Sequence, residues 1–352
     1  MTGVARGLQT ARKVVTFGEI MLRLSPPGLE RFLTSPTLSA TFGGGEANVA
    51  VSLAHFGCES VYVTALPTHA IGEAAVRALR AEGVHTDQIV RRGSRVGIYF
   101  AETGASQRAS TVIYDRAHSA ISELTPDAVD WSAVLSGAAW FHVTGITPAL
   151  GSNAAEATAR AIRAARLAGA RVSFDLNYRR KLWTESEAQR VVGPLLKDVD
   201  LVVANEEDLQ SVLGIHVANT DVAAGRLHVD GFRDAAERTT RGFGPRLVAI
   251  TLRESVSASD NGWSALLWDA DAGTMYTSQR YEVRVVDRIG AGDSFAAGLI
   301  YGLLDGRAPA DALRFAVAAS ALKHSIPGDF NRVSVDEVDR LARGDASGRV
   351  QR

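Results

Sequence analysis

The sequence predicts an α/β fold with a mainly parallel central sheet and a small β-structured lid. Short apolar runs of strand length alternate with longer amphipathic stretches, which is the spacing of repeated β-α-β units. Two early stretches break this alternation, because residues 24–42 and 95–117 carry turn signals and alternating apolar positions instead of helical spacing. We therefore expect these two stretches to form a lid inserted into the first half of one α/β domain.

The strands of the central sheet are predicted from short apolar runs. They cover residues 13–17, 60–65, 139–143, 171–175, 201–204 and 247–252. An Ala- and Arg-rich helix is predicted at 154–167, and Gly169 after it acts as a helix stop. Residues 174–177 then lie at the carboxyl end of the next strand, which is the edge where open α/β sheets bind ligands.

The predicted domain extends from residue 13 to residue 345. Residues 1–12 are polar and basic and are expected to form a flexible tail, and residues 346–352 a second one. The polar segment 219–244 is compatible with a helix and is expected to lie on the surface.

Composition and charge exclude several classes of function. Of the 352 residues, 46% are hydrophobic and 22% are charged, which is typical of a globular protein. The net charge of −1 leaves no electrostatic footprint for nucleic acid or for an anionic membrane. No apolar run approaches the roughly 20 residues that span a bilayer. Cys58 is the only cysteine, which excludes an intramolecular disulfide and favours a reducing, cytoplasmic location.

The strongest local signal is a glycine turn between a strand and a helix. The strand is predicted to end at about Asp287, Gly290 and Gly292 permit a tight turn, and an apolar periodic run predicts a helix over 295–304. Backbone N–H groups at such a helix start can hold an anion, and Asp293 beside them could accept a proton from a hydroxyl group. The alternative is that Asp293 only caps the helix, which would stabilise it by about 1 kcal/mol. These residues alone favour both interpretations equally.

A second glycine-rich turn lies at residues 43–45, before a predicted helix that carries Asn48. Three glycines permit close approach of a ligand to the backbone, and the Asn48 amide offers a donor and an acceptor to a polyol. No Gly-Lys-Ser/Thr follows, so this is not a Walker loop, and the spacing of a dinucleotide-binding fingerprint is absent.

Together, the two turns resemble the signature regions of the ribokinase-like (PfkB) family of carbohydrate kinases, and the resemblance extends from about Val14 to Leu341. It implies a ribokinase-like three-layer sandwich that uses ATP and Mg²⁺. It also implies that Asp293 is the catalytic base, beside an anion hole formed by Gly290, Ala291 and Gly292.

Arg288 departs from the late motif of this family, Asp-Thr-x-Gly-Ala-Gly-Asp, because it replaces the usual Thr. The resemblance suggests a monovalent cation near this turn as a further cofactor. Because Arg288 stands where the family has Thr, the details of this cation site do not carry over directly from the family.

Two further segments resemble the nucleotide side of the family's active site. Asn205 and Asp208 match an Asn-x-x-Glu segment that organises Mg²⁺ and phosphates, and Asp208, where Glu is usual, would act indirectly through water. A solvated helix start is the alternative. Thr251 and Arg253 follow a strand where the family has a turn against ATP. Arg253 could neutralise phosphate charge or could form an ion pair with Glu254.

Segments 14–26, 112–117 and 175–179 look most like those of the 2-keto-3-deoxygluconate kinases of this family. Such a sugar acid carries a carboxylate, which arginine binds in a fork geometry. The resemblance implies that the substrate contacts Gly44, Tyr99, Tyr114, Arg116 and Arg179. We add Asn48 to these predicted substrate-binding residues because its amide can bind a polyol.

Two alternatives remain open at this point. The first is a kinase for a neutral ketohexose such as fructose, in which Arg116 and Arg179 would serve lid closure. The second is a non-catalytic sugar-binding protein on the same fold. Because small inserted β-lids leave exposed edges that commonly pair, a homodimer through the lid is also expected.

Overall fold

The computed structural model describes residues 12–218 and 229–345 of the chain. Apart from Arg12, both predicted tails lie outside the described residues. Within the described part of the chain, no helix has the length and apolar character needed to cross a membrane.

A nine-stranded sheet forms the centre of the molecule, in the order β14-β13-β12-β11-β10-β9-β1-β4, with β15 also paired to β13. Its parallel part is built from strands whose carboxyl ends meet at one edge: β1 (Lys13–Phe17), β4 (Glu59–Val63), β9 (Trp140–Thr144), β10 (Arg171–Asp175), β11 (Leu201–Ala204) and β12 (Leu247–Ser255). These strands confirm the predicted mainly parallel sheet.

The antiparallel side of this sheet was not predicted. It consists of β13 (Asp260–Asp269), β14 (Thr274–Thr277) and β15 (Tyr281–Arg284). The strand before the late glycine turn therefore ends at Arg284, three residues before Asp287, which leaves Asp287 in the turn itself.

Helices cover both faces of the sheet. They are α1 (Gly45–His55), α2 (Ala70–Ala81), α3 (Trp131–Leu135), α4 (Ser152–Leu167), α5 (Glu185–Leu195), α6 (Glu206–Leu213), α7 (Val229–Phe243), α8 (Ala291–Leu304), α9 (Pro309–Lys323) and α10 (Val335–Ala342). Short 3₁₀ turns occur at Pro148–Leu150 and Leu196–Asp198.

Two hydrophobic cores show how the layers are arranged. One joins Val15 of β1 to helices α3 to α7, and the other joins the adjacent Val14 to α1, α8, α9 and α10. Because successive side chains of a strand point to opposite faces, the sheet lies between two helical layers. The three-layer α/β sandwich is thus confirmed.

A second, four-stranded sheet forms the lid, in the order β3-β2-β7-β8. The strands are β2 (Met21–Ser25), β3 (Ser39–Gly43), β7 (Ile98–Glu102) and β8 (Thr111–Asp115). Both hairpins are antiparallel, and β2 pairs with β7 in parallel. The first lid strand begins at Met21 rather than at residue 24. A small parallel pair, β5 (Ala65–Leu66) and β6 (Val90–Arg91), lies apart from both sheets.

Two helix predictions can be compared directly with the structure. The helix predicted at 154–167 begins two residues earlier, at Ser152, and Gly169 after it has a φ of 78°, a left-handed conformation that suits glycine. Of the segment 219–244, residues 229–243 form α7, whereas residues 219–228 lie outside the described residues.

Candidate active site

A cavity of about 380 Å³ lies between the lid and the carboxyl ends of the parallel strands. All but one of the residues predicted for the site line it: Gly44, Asn48, Tyr99, Tyr114, Arg116, Arg179, Asn205, Asp208, Thr251, Arg253, Gly290, Gly292 and Asp293. The exception is Ala291, which is fully buried and whose N–H group donates to the Arg288 carbonyl at 3.3 Å. The family resemblance implied that the Ala291 amide helps to form the anion hole. This is wrong, because the amide already donates to the Arg288 carbonyl and is not available to a ligand.

Asp293 lies on the first turn of α8 but does not cap this helix. The cap residue is Gly290, with a φ of 87°. A Cβ at Gly290 would lie 2.1 Å from the Asp329 carbonyl oxygen, so this turn needs glycine for both conformation and space. The interpretation of Asp293 as only an N-cap is wrong, and its carboxylate is left to face the cavity.

The carboxyl group of Asp293 receives a hydrogen bond from Asn48. The Asn48 Nδ2 donates to Asp293 Oδ2 at 2.7 Å, which joins the early glycine turn to the late one. Desolvation at the bottom of the cavity raises the pKa of Asp293 to about 7. The hydrogen bond from Asn48 acts against this rise, and the nearby carboxylates of Asp329 and Glu46 add to it. A carboxyl group that titrates near neutral pH is suited to accept a proton in catalysis.

Buried Glu46 fixes the orientation of α1, and therefore of Asn48. Its Oε1 accepts hydrogen bonds from the Thr144 backbone N–H at 2.9 Å, from Thr144 Oγ1 at 2.8 Å and from Thr147 Oγ1 at 2.7 Å. A Cβ at Gly44 would lie 1.9 Å from the Glu19 carbonyl oxygen, so the turn before α1 packs directly against the backbone after β1. These contacts hold the helix start at the end of β9.

The lid contributes two neighbouring tyrosines. The Tyr99 hydroxyl donates to Asp329 Oδ2 at 2.6 Å, and this hydrogen bond fixes the position of the Tyr99 ring. The rings of Tyr99 and Tyr114 lie with their centroids 6.0 Å apart, and Tyr114 is the more exposed of the two. Together they form an aromatic wall against which a carbon skeleton can pack.

Arg116 is not the free cation that the sequence suggested. Its Nε donates to Glu19 Oε2 at 2.8 Å, both side chains are buried, and the guanidinium lies over the Tyr114 ring at 5.4 Å. Glu19 was missed in the sequence, where the available signal was its position two residues after the buried strand β1. Because Glu19 neutralises Arg116, most of the positive charge on the sugar side must come from elsewhere.

Arg179 provides that charge. It is exposed at the cavity wall, its Nη1 donates to the Tyr178 carbonyl at 3.0 Å, and it forms no ion pair with a carboxylate among residues 12–218 and 229–345. Its positive charge opposes part of the rise that burial causes in the pKa values of Asp175, Asp208 and Asp293.

Asn205 and Asp208 form a reciprocal capping box at the start of α6. Asn205 Oδ1 accepts from the Asp208 N–H at 2.8 Å, and Asp208 Oδ2 accepts from the Asn205 N–H at 3.2 Å. Asp208 Oδ1 also accepts from the Tyr178 N–H at 2.8 Å. The segment is therefore a helix start, as the alternative held, but Asp208 is buried rather than solvated and faces the cavity.

Asp175, at the end of β10, is a buried carboxyl group that sequence reasoning placed at the binding edge without assigning it to the site. Burial raises its pKa well above the ordinary value, and the nearby charges of Asp208 and Asp293 raise it further. Two adjacent carboxylates repel each other, which a hydrated cation would relieve. Among the residues that the structure describes, no group of three or more His, Cys, Asp or Glu side chains is arranged to bind a metal directly.

On the nucleotide side of the cavity, Arg253 and Arg288 form no ion pair with a carboxylate among the residues that the structure describes. Glu254 pairs with Arg280 at 2.9 Å, so the alternative in which Arg253 forms an ion pair with Glu254 is wrong. Arg253 instead lies against the Trp263 ring at 5.5 Å. Desolvation lowers the pKa of Arg253 to about 10, and repulsion from the neighbouring Arg288 and Arg179 contributes to this shift. An anion bound among these guanidinium groups would remove their mutual repulsion.

Comparisons with known proteins show the family to which the chain belongs. The model of the pfkB family of carbohydrate kinases matches residues 11–331. A 2-dehydro-3-deoxygalactonokinase of Haloferax volcanii is 35% identical over 338 residues, which cover 96% of this chain and 98% of the relative.

Solved structures show the same likeness. A 2-dehydro-3-deoxygluconokinase of Thermotoga maritima is 50% identical, with a TM-score of 0.91 over 95% of this chain and 100% of its own. A putative ribokinase II of E. coli in complex with ATP and Mg²⁺ is 19% identical and shares the fold, with a TM-score of 0.76 over 94% of this chain and 99% of its own. The chain therefore belongs to the pfkB family of carbohydrate kinases.

Proposed function

We propose that the protein transfers the γ-phosphoryl group of ATP to the terminal hydroxyl of 2-keto-3-deoxygluconate, giving 2-keto-3-deoxy-6-phosphogluconate and ADP. The observation that carries this proposal is the position of Asp293. Its carboxyl group, with a pKa raised to about 7, lines the same cavity as the aromatic lid wall and the guanidinium groups of Arg179, Arg253 and Arg288. This arrangement suits a base between a sugar and a triphosphate.

The proposed reaction is an in-line transfer. Asp293 accepts the proton of the terminal hydroxyl while the sugar oxygen forms a bond to phosphorus and the bond to ADP breaks. The amides of Gly290 and Gly292, at the start of α8, would hold the transferred group. Arg253 and Arg288 would neutralise charge on the phosphates, and Thr251 and Asn205 line the same side of the cavity.

Recognition of a sugar acid is proposed to rest mainly on Arg179. It is exposed in the cavity and has no carboxylate partner among the described residues, so its guanidinium is available to the carboxylate of the substrate. Arg116 would contribute only the N–H groups that Glu19 leaves unused. Tyr99 and Tyr114 would cover the carbon skeleton, and Gly44 would allow close approach of the sugar to the backbone.

Mg²⁺ would enter with ATP. The carboxyl groups of Asp175 and Asp208 both line the cavity and fit a hydrated divalent cation, because oxygen ligands reached through water are what Mg²⁺ favours. When bound, the ion would neutralise phosphate charge. A cytoplasmic location is proposed as well, supported by the single cysteine in the chain.

The substrate proposal is tested by ADP release from ATP with three acceptors: 2-keto-3-deoxygluconate, its galactonate epimer and fructose. We expect kcat/KM to be highest for a sugar acid, and the Arg179→Met variant to lose this preference through a higher KM for the acid. Arg180→Met, a change at the exposed neighbour that pairs with Glu207, is the matched control. A preference of the unmodified enzyme for fructose would overturn the substrate assignment and leave the kinase assignment standing.

A further inference from the structure

Lys323, the last residue of α9, is fully buried beside the late glycine turn. Its Nζ donates to two main-chain carbonyl oxygens, those of Asp287 and Ile326, each at 3.1 Å. It forms no ion pair with a carboxylate within the described part of the chain. A buried ammonium held by backbone carbonyls rather than by a carboxylate is a rare arrangement, because burial of a charge is costly.

The two carbonyls belong to the segments that shape the turn in front of Asp293. Asp287 opens this turn: its Oδ1 accepts from the Ile289 N–H at 3.1 Å and its Oδ2 from the Gly328 N–H at 3.0 Å. The side chain of Asp287 thus connects the turn to the loop after α9. Lys323 connects the same two segments a second time, through their carbonyl groups.

The side chain of Lys323 also touches the helix cap itself. Its Cε lies 3.3 Å from the position that a Cβ would take at Gly290. Burial lowers the pKa of Lys323, while the surrounding carboxylates of Asp287, Asp329 and Asp293 favour its charged form. The ammonium therefore lies where positive charge stabilises both the carbonyl oxygens and the acidic groups around the turn.

A compact point charge surrounded by carbonyl oxygens is also how proteins bind K⁺. The family resemblance implies a monovalent cation near this turn, but the carbonyls of Asp287 and Ile326 are already occupied by Lys323, and Arg288 replaces the usual threonine. The residues that are present therefore do not fit an added ion bound to these two oxygens.

We propose that Lys323 acts as a built-in monovalent cation, which positions the glycine turn and Asp293 and makes the kinase independent of added K⁺ or Na⁺. This inference rests on the proposed phosphoryl transfer. Lys323 touches neither substrate nor the reacting atoms, so it is a positioning residue. Its removal would leave the carbonyl oxygens of Asp287 and Ile326 without a cation and would create room for a free one.

The experiment compares the wild type with Lys323→Ala and Lys323→Met in chloride salts of K⁺, Na⁺, ammonium and tetramethylammonium. Wild-type kcat should be the same in all four salts. In tetramethylammonium, Lys323→Ala should lose about 10²-fold in kcat, because a shift of the turn misplaces the base. Ammonium or K⁺ should restore much of this loss in Lys323→Ala and less in Lys323→Met, whose longer side chain fills the space.

Thermal denaturation gives a readout that does not depend on turnover. K⁺ should raise the Tm of Lys323→Ala relative to tetramethylammonium and leave the wild-type Tm unchanged. Lys197→Met, the same change at an exposed lysine, is the control and should match the wild type.

Two results would overturn the proposal. One is activation of the wild type by K⁺, which needs no variant to fold. The other is a folded Lys323→Ala protein for which no cation changes either kcat or Tm. Absence of turnover in the wild type with any sugar acid would instead count against the proposed function, and the Tm series would still test Lys323.

Discussion

Asp293 owes its character to the groups that surround it. Desolvation and the nearby acidic side chains disfavour the ionised form of this carboxyl group relative to water, and the hydrogen bond from Asn48 opposes them only in part. Such a group holds a proton weakly enough to lose it at neutral pH and strongly enough to take one from a hydroxyl during transfer.

Asp293→Asn should lower kcat by about 10²- to 10⁴-fold, the usual contribution of a general base, with little change in KM for ATP. Stability should not fall, because the pKa of this carboxyl in the folded protein is raised above its unfolded value, so the ionised group costs stability above pH 7. Steady-state ADP release and Tm at pH 8 are the measurements. Asp336→Asn, on an exposed residue of α10, is the control; full turnover by a folded Asp293→Asn protein would remove Asp293 from the mechanism.

The pH profile of the wild type should reflect the same group. Because the base must be deprotonated to act, kcat/KM should fall about tenfold per pH unit below an apparent pKa of about 7. Asn48→Ala removes a hydrogen bond that lowers this pKa, so its profile should move to higher pH. If the pH dependence of kcat/KM is the same in Asn48→Ala and in the wild type, the fall in kcat/KM at low pH is due to a group other than Asp293.

At the scale of elements, the lid is tied to the glycine turn by a buried polar cluster. Arg23 of β2 pairs with Asp287 at 2.7 Å and with Asp329 at 2.8 Å, and Tyr99 of β7 donates to the other oxygen of Asp329. Two lid strands therefore contact the turn that contains Gly290 and the loop with Asp329 that packs against this turn. The lid and the turn should respond together when either is disturbed.

Tyr99→Phe tests this connection with a change of one oxygen atom. It keeps the aromatic wall but removes the hydrogen bond to buried Asp329, so it should lower the free energy of unfolding by roughly 1–3 kcal/mol. Urea denaturation measures this loss. Tyr114→Phe is the control, since Tyr114 is 37% exposed and its hydroxyl should contribute little to stability. Equal stabilities of the two variants would contradict the role of the cluster.

At the scale of the whole molecule, the lid exposes apolar surface and an unpaired edge. Strand β8 lies at one end of the lid sheet and exposes Ile113, and the loop between β2 and β3 exposes Leu33. Exposed edges and apolar side chains of this kind favour association with a second copy. We expect the homodimer to form through this surface.

Ile113→Lys and Leu33→Asp should shift the dimer toward the monomer, because each places a charge in the expected interface. Light scattering after size-exclusion chromatography measures the mass. Leu167→Asp, on a leucine of α4 that is 90% exposed and lies outside the lid, should leave the mass unchanged. A wild-type protein that is monomeric at micromolar concentration would contradict the expectation.

Local signals determined much of the fold and the list of site residues. The parallel strands, the lid segments and the two glycine turns follow from hydrophobic periodicity and from glycine, and both act over a few neighbouring residues. Because parallel strands end at one edge, the strand pattern also placed residues 174–177 at the ligand-binding edge, whereas the family resemblance brought Asn205, Arg253 and Asp293 into one site. The resemblance between motifs then supplied the chemistry that the residues alone left open.

Only the tertiary structure decided the partners of the charged groups. Arg116 is paired with Glu19, 97 residues away, and Glu254 with Arg280 rather than with the adjacent Arg253. Lys323 donates to the carbonyl oxygen of Asp287, which lies 36 residues before it in the chain. The physical reason is that a charge is neutralised by whatever the fold brings within a few ångströms, and this depends on packing between distant segments, not on sequence pattern.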